Sequence, residues 1–223
     1  MEVASPNPYH GVPLLLDGRI PTHLATGERE LVLTFDDGPH PAASGPILDI
    51  LARHGVPATF FLVGDNVRRA PDLARRMVAL GHEIGNHTDT HVRLREVSDA
   101  CVEAEIASCQ EAVAALVGVR PRLFRPTYGQ YDARVLAVCR SEELTPVQWS
   151  AMVWDWLAPD AAEAVAWFRL QLAPGAIVLL HDGANTRLDS REATIAMLPG
   201  LLEAAREAGY RWVRLGDRLD RLA

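Results

Sequence analysis

The chain has 223 residues, 48% apolar and 23% charged, which fits one soluble globular domain with a substantial core and excludes a disordered chain. Its net charge of -7, with arginines scattered along helix-like segments, disfavours a nonspecific grip on nucleic acid or an anionic membrane surface. No apolar run approaches the roughly 18 residues of a membrane span, and Met1 to Leu24 lacks a basic start followed by a long apolar core, so a cytoplasmic protein is expected.

The Pro-rich stretch from Ser5 to Pro21 reads as a surface arm, and residues 1–30 as an irregular arm ahead of one domain over 31–223. Leu31 to Phe35 reads as a buried strand that runs without a break into Asp36, Asp37 and a Gly38-Pro39 turn. Side chains alternate along an extended segment, so the two carboxylates are expected to do different jobs, one binding a cation and the other facing a substrate. A solvated turn would use the same Asp-Gly-Pro residues. The weight therefore rests on the segments that follow.

Ile47, Leu48, Ile50 and Leu51 recur with helical spacing until Gly55. Ala58 to Val63 is a second buried strand ending at Gly64, and Pro71 to Leu80 an amphipathic helix capped by Gly81. Glu83 to Asn86 is a short third strand leading into His87-Thr88-Asp89-Thr90-His91. Ser98 caps a long Ala-rich helix to about Val117, and Arg122 to Arg125 is a strand followed by Pro126-Thr127-Tyr128-Gly129. Asp132 opens a helix to about Cys139, Thr145 to Trp149 returns as a strand, and a Trp-rich loop follows. Asp160 and Glu163 make a capping box for a helix ending near Leu172. The strand Ile177 to Leu180 ends at His181-Asp182-Gly183, and a last helix from about Arg191 to Ala208 precedes Trp212 to Leu215.

Cys101 and Cys109 lie eight apart on one helix, about 12 Å of rise, too far for a disulfide. All three cysteines, Cys139 included, read as buried apolar fillers. The alternation of strands and helices implies a parallel sheet covered by helices, either an open doubly wound sheet or a barrel. Several strands carry polar residues at their C-terminal ends, where both architectures assemble their sites.

His87 and His91 are four apart, so a helical segment would put both imidazoles on one face. With Asp37 they make a set of two histidines and one carboxylate that leaves coordination positions open for water and substrate. An N-cap histidine and a surface histidine four apart would give the same spacing. Asp36 can act as base toward a water, with Arg125 holding and aiming its carboxylate. His181 is the candidate acid, Asp155 the expected partner that keeps it protonated, and Asp182 the local competitor. Trp156 and Leu179 are expected to supply apolar walls.

These residues resemble the polysaccharide deacetylases of carbohydrate esterase family 4, particularly the nodulation-type chitooligosaccharide deacetylases. Thr34-Phe35-Asp36-Asp37-Gly38-Pro39 is similar to that family's first motif, His87 to His91 to its second, Arg125-Pro126-Thr127-Tyr128-Gly129 to its third and Leu179-Leu180-His181 to its fifth. The resemblance spans about Leu31 to Leu215. It implies a distorted, incomplete β/α barrel of about seven parallel strands in a single domain. It also implies hydrolysis of an N-acetyl group on a hexosamine with one divalent ion, zinc ahead of cobalt, nickel or iron. Asp37, His87 and His91 would be the ligands, Asp36 the base and His181 the acid. Arg125 would orient the base and Asp155 tune the acid. The backbone N–H of Tyr128 would help stabilise the oxyanion.

The departure lies in the fourth motif, Met152-Val153-Trp154-Asp155-Trp156, where a methionine stands in place of the usual first acid. Met152 and Trp154 are expected to make that side of the pocket more apolar. The leading expectation is a deacetylase of a soluble N-acetylhexosamine compound, with no nucleic-acid, membrane or obligate protein partner. A non-sugar amide substrate is the second, favoured by Met152 and Trp154. A binding protein that has lost catalysis is the third, opposed by the presence of both an acid and a base.

Overall fold

The computed structural model describes residues 18–157, 159–183 and 191–223, so most of the expected N-terminal arm, residues 1–17, lies outside the described residues. The first strand, β1, runs from Glu30 to Asp36 and is buried along its whole length. A strand covered on both faces reads as a continuous apolar run, which is why Leu31 to Phe35 shows no alternation. Helix α1 (Ser44–His54) buries Ile47, Leu48, Ile50 and Leu51 and ends at Gly55, whose φ of 63° is the left-handed stop that glycine accepts most readily. Then come β2 (Thr59–Leu62), α2 (Gly64–Arg69), α3 (Pro71–Ala79) and β3 (Glu83–Asn86). The long α4 (Asp99–Val117) is capped by the Ser98 side chain, which accepts from the Cys101 N–H. After β4 (Leu123–Phe124), the Asp132 side chain caps α5 (Ala133–Ser141). The chain closes with β5 (Thr145–Pro146), β6 (Ala151–Met152), α6 (Ala161–Leu170), β7 (Ala176–His181), α7 (Glu192–Glu207) and β8 (Arg211–Val213).

The strands form one parallel sheet in the order β5-β4-β3-β2-β1-β7-β6, with the short β8 beside the first half of β1. This order forces the sheet to curl. Six inter-strand gaps of roughly 4.8 Å would hold the flat edges roughly 29 Å apart. Yet β5 and β6, at opposite edges, are joined by the short link from Pro146 to Ala151, whose reach is about 18 Å at most. The edges therefore approach each other, and the result is a distorted, incomplete barrel surrounded by helices in a single α/β domain.

That link also explains a difference from the sequence reading, which extends a strand from Thr145 to Trp149. Along it the N–H groups of Val147, Gln148 and Ser150 donate to Phe124, Pro21 and Ile177 in turn, three partners on three segments. The chain is crossing the gap, and regular pairing ends. The contact at Pro21 brings the residues before β1 against the gap, and Ile20 and Leu24 are buried there. Helix α2 is a second difference: its six residues include one buried apolar side chain, Val67, too little for a periodic signal. Among the cysteines, Cys109 and Cys139 are buried, but Cys101 is only partly so, and all three are free.

Side-chain parity decides what faces the barrel interior. Leu31, Leu33 and Phe35 of β1 pack outward with the helices, in one cluster with Val178 and Leu180 of β7. Val32 packs inward with Phe61, Ile177 and Leu179. Period two then turns Thr34 and Asp36 inward on β1, and His181 inward on β7. Asp36 and His181 are register partners across these two strands.

Candidate active site

The cavity at the C-terminal end of the strands has a volume of about 230 Å³ and is lined by Asp36, Asp37, His87, His91, Tyr128, Trp149, Trp156, Leu179, His181 and Arg191, with Pro126 and Gly129. Asp36 is the last residue of β1, and Asp37 follows in the left-handed region with φ 73°. This turn carries the Asp37 side chain back toward the same cavity, while the Asn66 side chain donates to its carbonyl at 2.8 Å.

The two histidines meet on a loop, and the helix that their spacing suggests is absent. Residues 87–91 contain two left-handed positions, Thr88 at φ 67° and His91 at φ 60°. Side chains from neighbouring elements shape this backbone. The Asn86 side chain accepts from the Thr88 N–H, and Glu105 of α4 accepts from the N–H groups of Asp89 and Thr90 and from the Thr90 hydroxyl. The His91 N–H donates to the Thr88 hydroxyl.

Nδ1 of His87 lies 2.7 Å from the carbonyl oxygen of Arg125. A carbonyl can only accept, so this nitrogen carries a proton and the lone pair of the neutral ring is on Nε2. Nε2 of His87 and Nε2 of His91 lie 3.4 and 3.0 Å from Oδ1 of Asp37. One ligand atom from each of the three residues falls within a 4.8 Å span. Oδ1 of Asp37 is buried without a hydrogen-bond partner. A carboxylate oxygen and two imidazole nitrogens, converging on a point where that oxygen has no donor, fit a divalent cation with open positions.

On one side of this set stands Arg125, fully buried. Its Nη1 donates to Asp36 Oδ1 at 2.8 Å and to the Thr34 hydroxyl at 2.7 Å, and its Nη2 donates to the Gln148 carbonyl at 2.9 Å. The guanidinium lies 4.2 Å from the Phe61 ring centre. Burial lowers the affinity of this guanidinium for its proton, and the charge of Asp36 opposes that.

On the other side is His181. Asp155 accepts from its backbone N–H at 2.8 Å and meets Nδ1 at 2.9 Å, and the Thr194 hydroxyl donates to the same carboxylate at 2.7 Å. Burial alone would push the His181 imidazole down. Asp155, with help from Asp37 and Asp36, reverses this and raises it above its ordinary value. Burial likewise works against ionisation of Asp155, and His181 outweighs it. Asp182, the local competitor for His181, is occupied elsewhere: it takes the Ser44 hydroxyl, and burial with the nearby charges of Asp37 and Asp36 pushes it up to about 7.

Trp156 sets its ring edgewise on His181 at 5.2 Å, and Leu179 lies on the cavity wall. Tyr128, left-handed at φ 57°, stacks edgewise on His91 at 4.7 Å, and the Arg93 guanidinium lies 4.3 Å from its ring centre. Two expected wall residues are not brought to the cavity. Trp154 packs edgewise against Trp167, and Met152, the register partner of Leu179, packs against the inner cluster that holds Leu179 and Trp149 without itself lining the cavity. Their neighbours in the chain led toward the site, but left-handed Trp154 turns its ring away. In their place stand Trp149 and Arg191, neither singled out by sequence. Trp149 falls in the edge-to-edge link, and Arg191 ten residues after His181, so no local spacing joins either to the site.

The sequence model described as polysaccharide deacetylase matches residues 23–147. A chitooligosaccharide deacetylase of Bradyrhizobium sp. (strain ANU 289) is 40% identical over 193 residues, covering 83% of this chain and 88% of that protein. The crystal structure of the Bc1960 peptidoglycan N-acetylglucosamine deacetylase, in complex with a naphthalenyl N-oxidanyl-benzamide, superposes with a TM-score of 0.86 at 29% identity, covering 93% of this chain and 97% of that one. BA3943 of Bacillus anthracis, described as a pseudoenzyme of carbohydrate esterase family 4, superposes with a TM-score of 0.79 at 25% identity over 87% of this chain and 66% of that one.

Proposed function

Because the chain belongs to the polysaccharide deacetylase family, we propose that it is a metal-dependent hydrolase removing the N-acetyl group from an N-acetylglucosamine-type unit of a soluble oligosaccharide or glycosylated small molecule. One observation carries this reading. The Asp37, His87 and His91 ligand set sits between a carboxylate aimed by an arginine and an imidazole raised by a carboxylate, all on one cavity. A binding protein has no use for a base and an acid on opposite sides of one ligand set, which sets this site against the inactive reading despite the pseudoenzyme neighbour.

Asp37, His87 and His91 would hold a divalent ion, for which zinc is the first choice and cobalt, nickel or iron alternatives. Once bound, such an ion polarises a carbonyl and lowers the pKa of water. Asp36 takes the proton from the attacking water, and Arg125 keeps that carboxylate aimed inward. His181 delivers a proton to the departing nitrogen, which its raised pKa equips it to do near neutrality. Asp155 and Thr194 hold its ring in place. The backbone N–H of Tyr128 supports the developing oxyanion. Trp156 and Leu179 give the acetyl methyl an apolar wall.

The curated relative with 40% identity carries the name chitooligosaccharide deacetylase, which favours short chitin fragments. The case for a non-sugar amide rested on Met152 and Trp154, and neither is among the described residues lining the cavity. The test is acetate release from metal-reconstituted protein, with short chitooligosaccharides of increasing length and acetylated peptidoglycan fragments side by side, each repeated after chelation. Chelator-sensitive release from short oligosaccharides is expected. No release from any sugar, with metal bound, would defeat the sugar reading.

A further inference from the structure

One charged group on the cavity wall has no part in the reaction described above. Arg191 precedes α7 in the left-handed region, φ 52°, with its side chain 8% exposed. Its Nε donates to the carbonyl of Gly183 at 2.5 Å, and its Nη2 stands 3.8 Å from Oδ2 of Asp37. The other oxygen of the same carboxylate, Oδ1, faces the two histidines at 3.0 and 3.4 Å. The two oxygens of Asp37 are thus divided, one toward the imidazoles and one toward a guanidinium.

The division is built into the backbone. The Gly183 N–H donates to the Asp36 carbonyl, and a Cβ at position 183 would lie 2.0 Å from the Asp37 carbonyl oxygen, so only glycine permits this approach. Gly183 therefore ties Arg191 to the turn that carries Asp36 and Asp37. A carboxylate can bind a cation through one oxygen or through both. A guanidinium fixed through Nε on one side presents its remaining N–H groups in a rigid fork, which a lysine does not reproduce.

We propose that Arg191 is a positioning residue for Asp37: its guanidinium, 3.8 Å from Oδ2, draws that oxygen to its own side by charge, so that Asp37 presents Oδ1, together with the two imidazole Nε2 atoms, to the cation. This rests on the metal-dependent reading given above. Arg191 touches no reacting atom in this role and acts through the Asp37 carboxylate; its charge also favours the ionised form of Asp155.

The test measures cation binding itself. Wild type, Arg191→Gln and Arg191→Lys are titrated with zinc against a chromophoric chelator, and each is loaded with cobalt for its visible absorption spectrum, with thermal melting as a check on folding. Arg191→Gln is expected to bind zinc about tenfold more weakly or worse, with an altered cobalt spectrum as Oδ2 is released. Arg191→Lys, which keeps a cation but loses both the fork and the contact to Gly183, is expected to bind zinc more weakly than wild type, with an altered cobalt spectrum as well. If the glutamine variant does not fold, the lysine variant decides: weaker zinc binding with an altered cobalt spectrum supports the role, and wild-type affinity with a wild-type spectrum overturns it. Lowered melting temperatures in both variants with wild-type affinity and spectrum would reduce Arg191 to a structural pin and overturn the proposal. A wild-type protein that binds no divalent cation would instead sink the metal-dependent reading on which it rests.

Discussion

The guanidinium of Arg125 reaches Asp36 from a strand three places away in the sheet, and the two side chains meet at 2.8 Å inside the barrel. Arg125 follows β4 and Asp36 ends β1, with β3 and β2 between them. In a flat sheet the distance across three gaps would be roughly 14 Å, beyond the reach of one arginine. The curl that brings β5 toward β6 also turns both side chains into one interior, where the Phe61 ring and the Gln148 carbonyl complete the guanidinium's surroundings.

Replacing Asp36 by Asn keeps an oxygen for Arg125 and removes the proposed base. Metal stoichiometry is expected to stay at the wild-type value while acetate release falls by roughly 10³-fold. Stability drops on the order of 3 kcal/mol, because the buried guanidinium loses its counterion. Wild-type turnover in this variant would remove Asp36 from the mechanism.

His91→Ala deletes one of the three proposed ligand atoms. Purified protein reconstituted with zinc and desalted is expected to retain almost none, measured by elemental analysis. Undiminished stoichiometry would refute His91 as a ligand.

Asp155→Asn tests the proposal that His181 is the acid. Asp155 lifts the His181 imidazole above its ordinary value against the effect of burial. An acid works protonated, so activity is present below that raised pKa and is lost as pH rises through it. Without the Asp155 charge, the alkaline limb of the kcat/KM profile moves to lower pH, and turnover falls roughly 10²-fold or more. An alkaline limb at the wild-type position would separate His181 from that limb.

Asp182 makes stability depend on pH in the opposite sense to an ordinary paired carboxylate. Its folded-state value is about 7 against 3.8 for the unperturbed group. Between those values the folded chain holds a proton that the unfolded chain has released, so stability falls as pH rises through the window and levels off above it. The contribution reaches up to about 4 kcal/mol. Denaturant melts of metal-free wild type and Asp182→Asn, compared from pH 4 to 8, are expected to diverge steadily, with the wild type losing ground. A constant difference between the two would show that Asp182 titrates normally.

Much of this protein was legible in the order of its residues. Buried strands show themselves as short apolar runs, and Ser98, Asp132 and Gly55 mark helix ends because capping is local chemistry. Asp36, Asp37, His87, Arg125 and His181 stood out because each sits at the end of a strand, where an apolar run stops and polar residues begin. His91 came from its spacing to His87 and Asp155 from the family resemblance, though His91 owes its position to a left-handed loop fastened on Glu105.

Tertiary structure decided what local pattern cannot carry, namely direction and distance between segments far apart in the chain. Trp154 and Trp156 are two residues apart, yet one packs on Trp167 and the other on His181, because left-handed Trp154 leads into a single tight turn over Asp155–Leu157 where no extended alternation holds. Trp149 and Arg191 reach the cavity only because the sheet curls and α7 begins beside the Asp37 turn. Periodicity records whether a side chain is buried. The closure of the sheet, set by a link too short for a flat one, determines which buried side chains share the site.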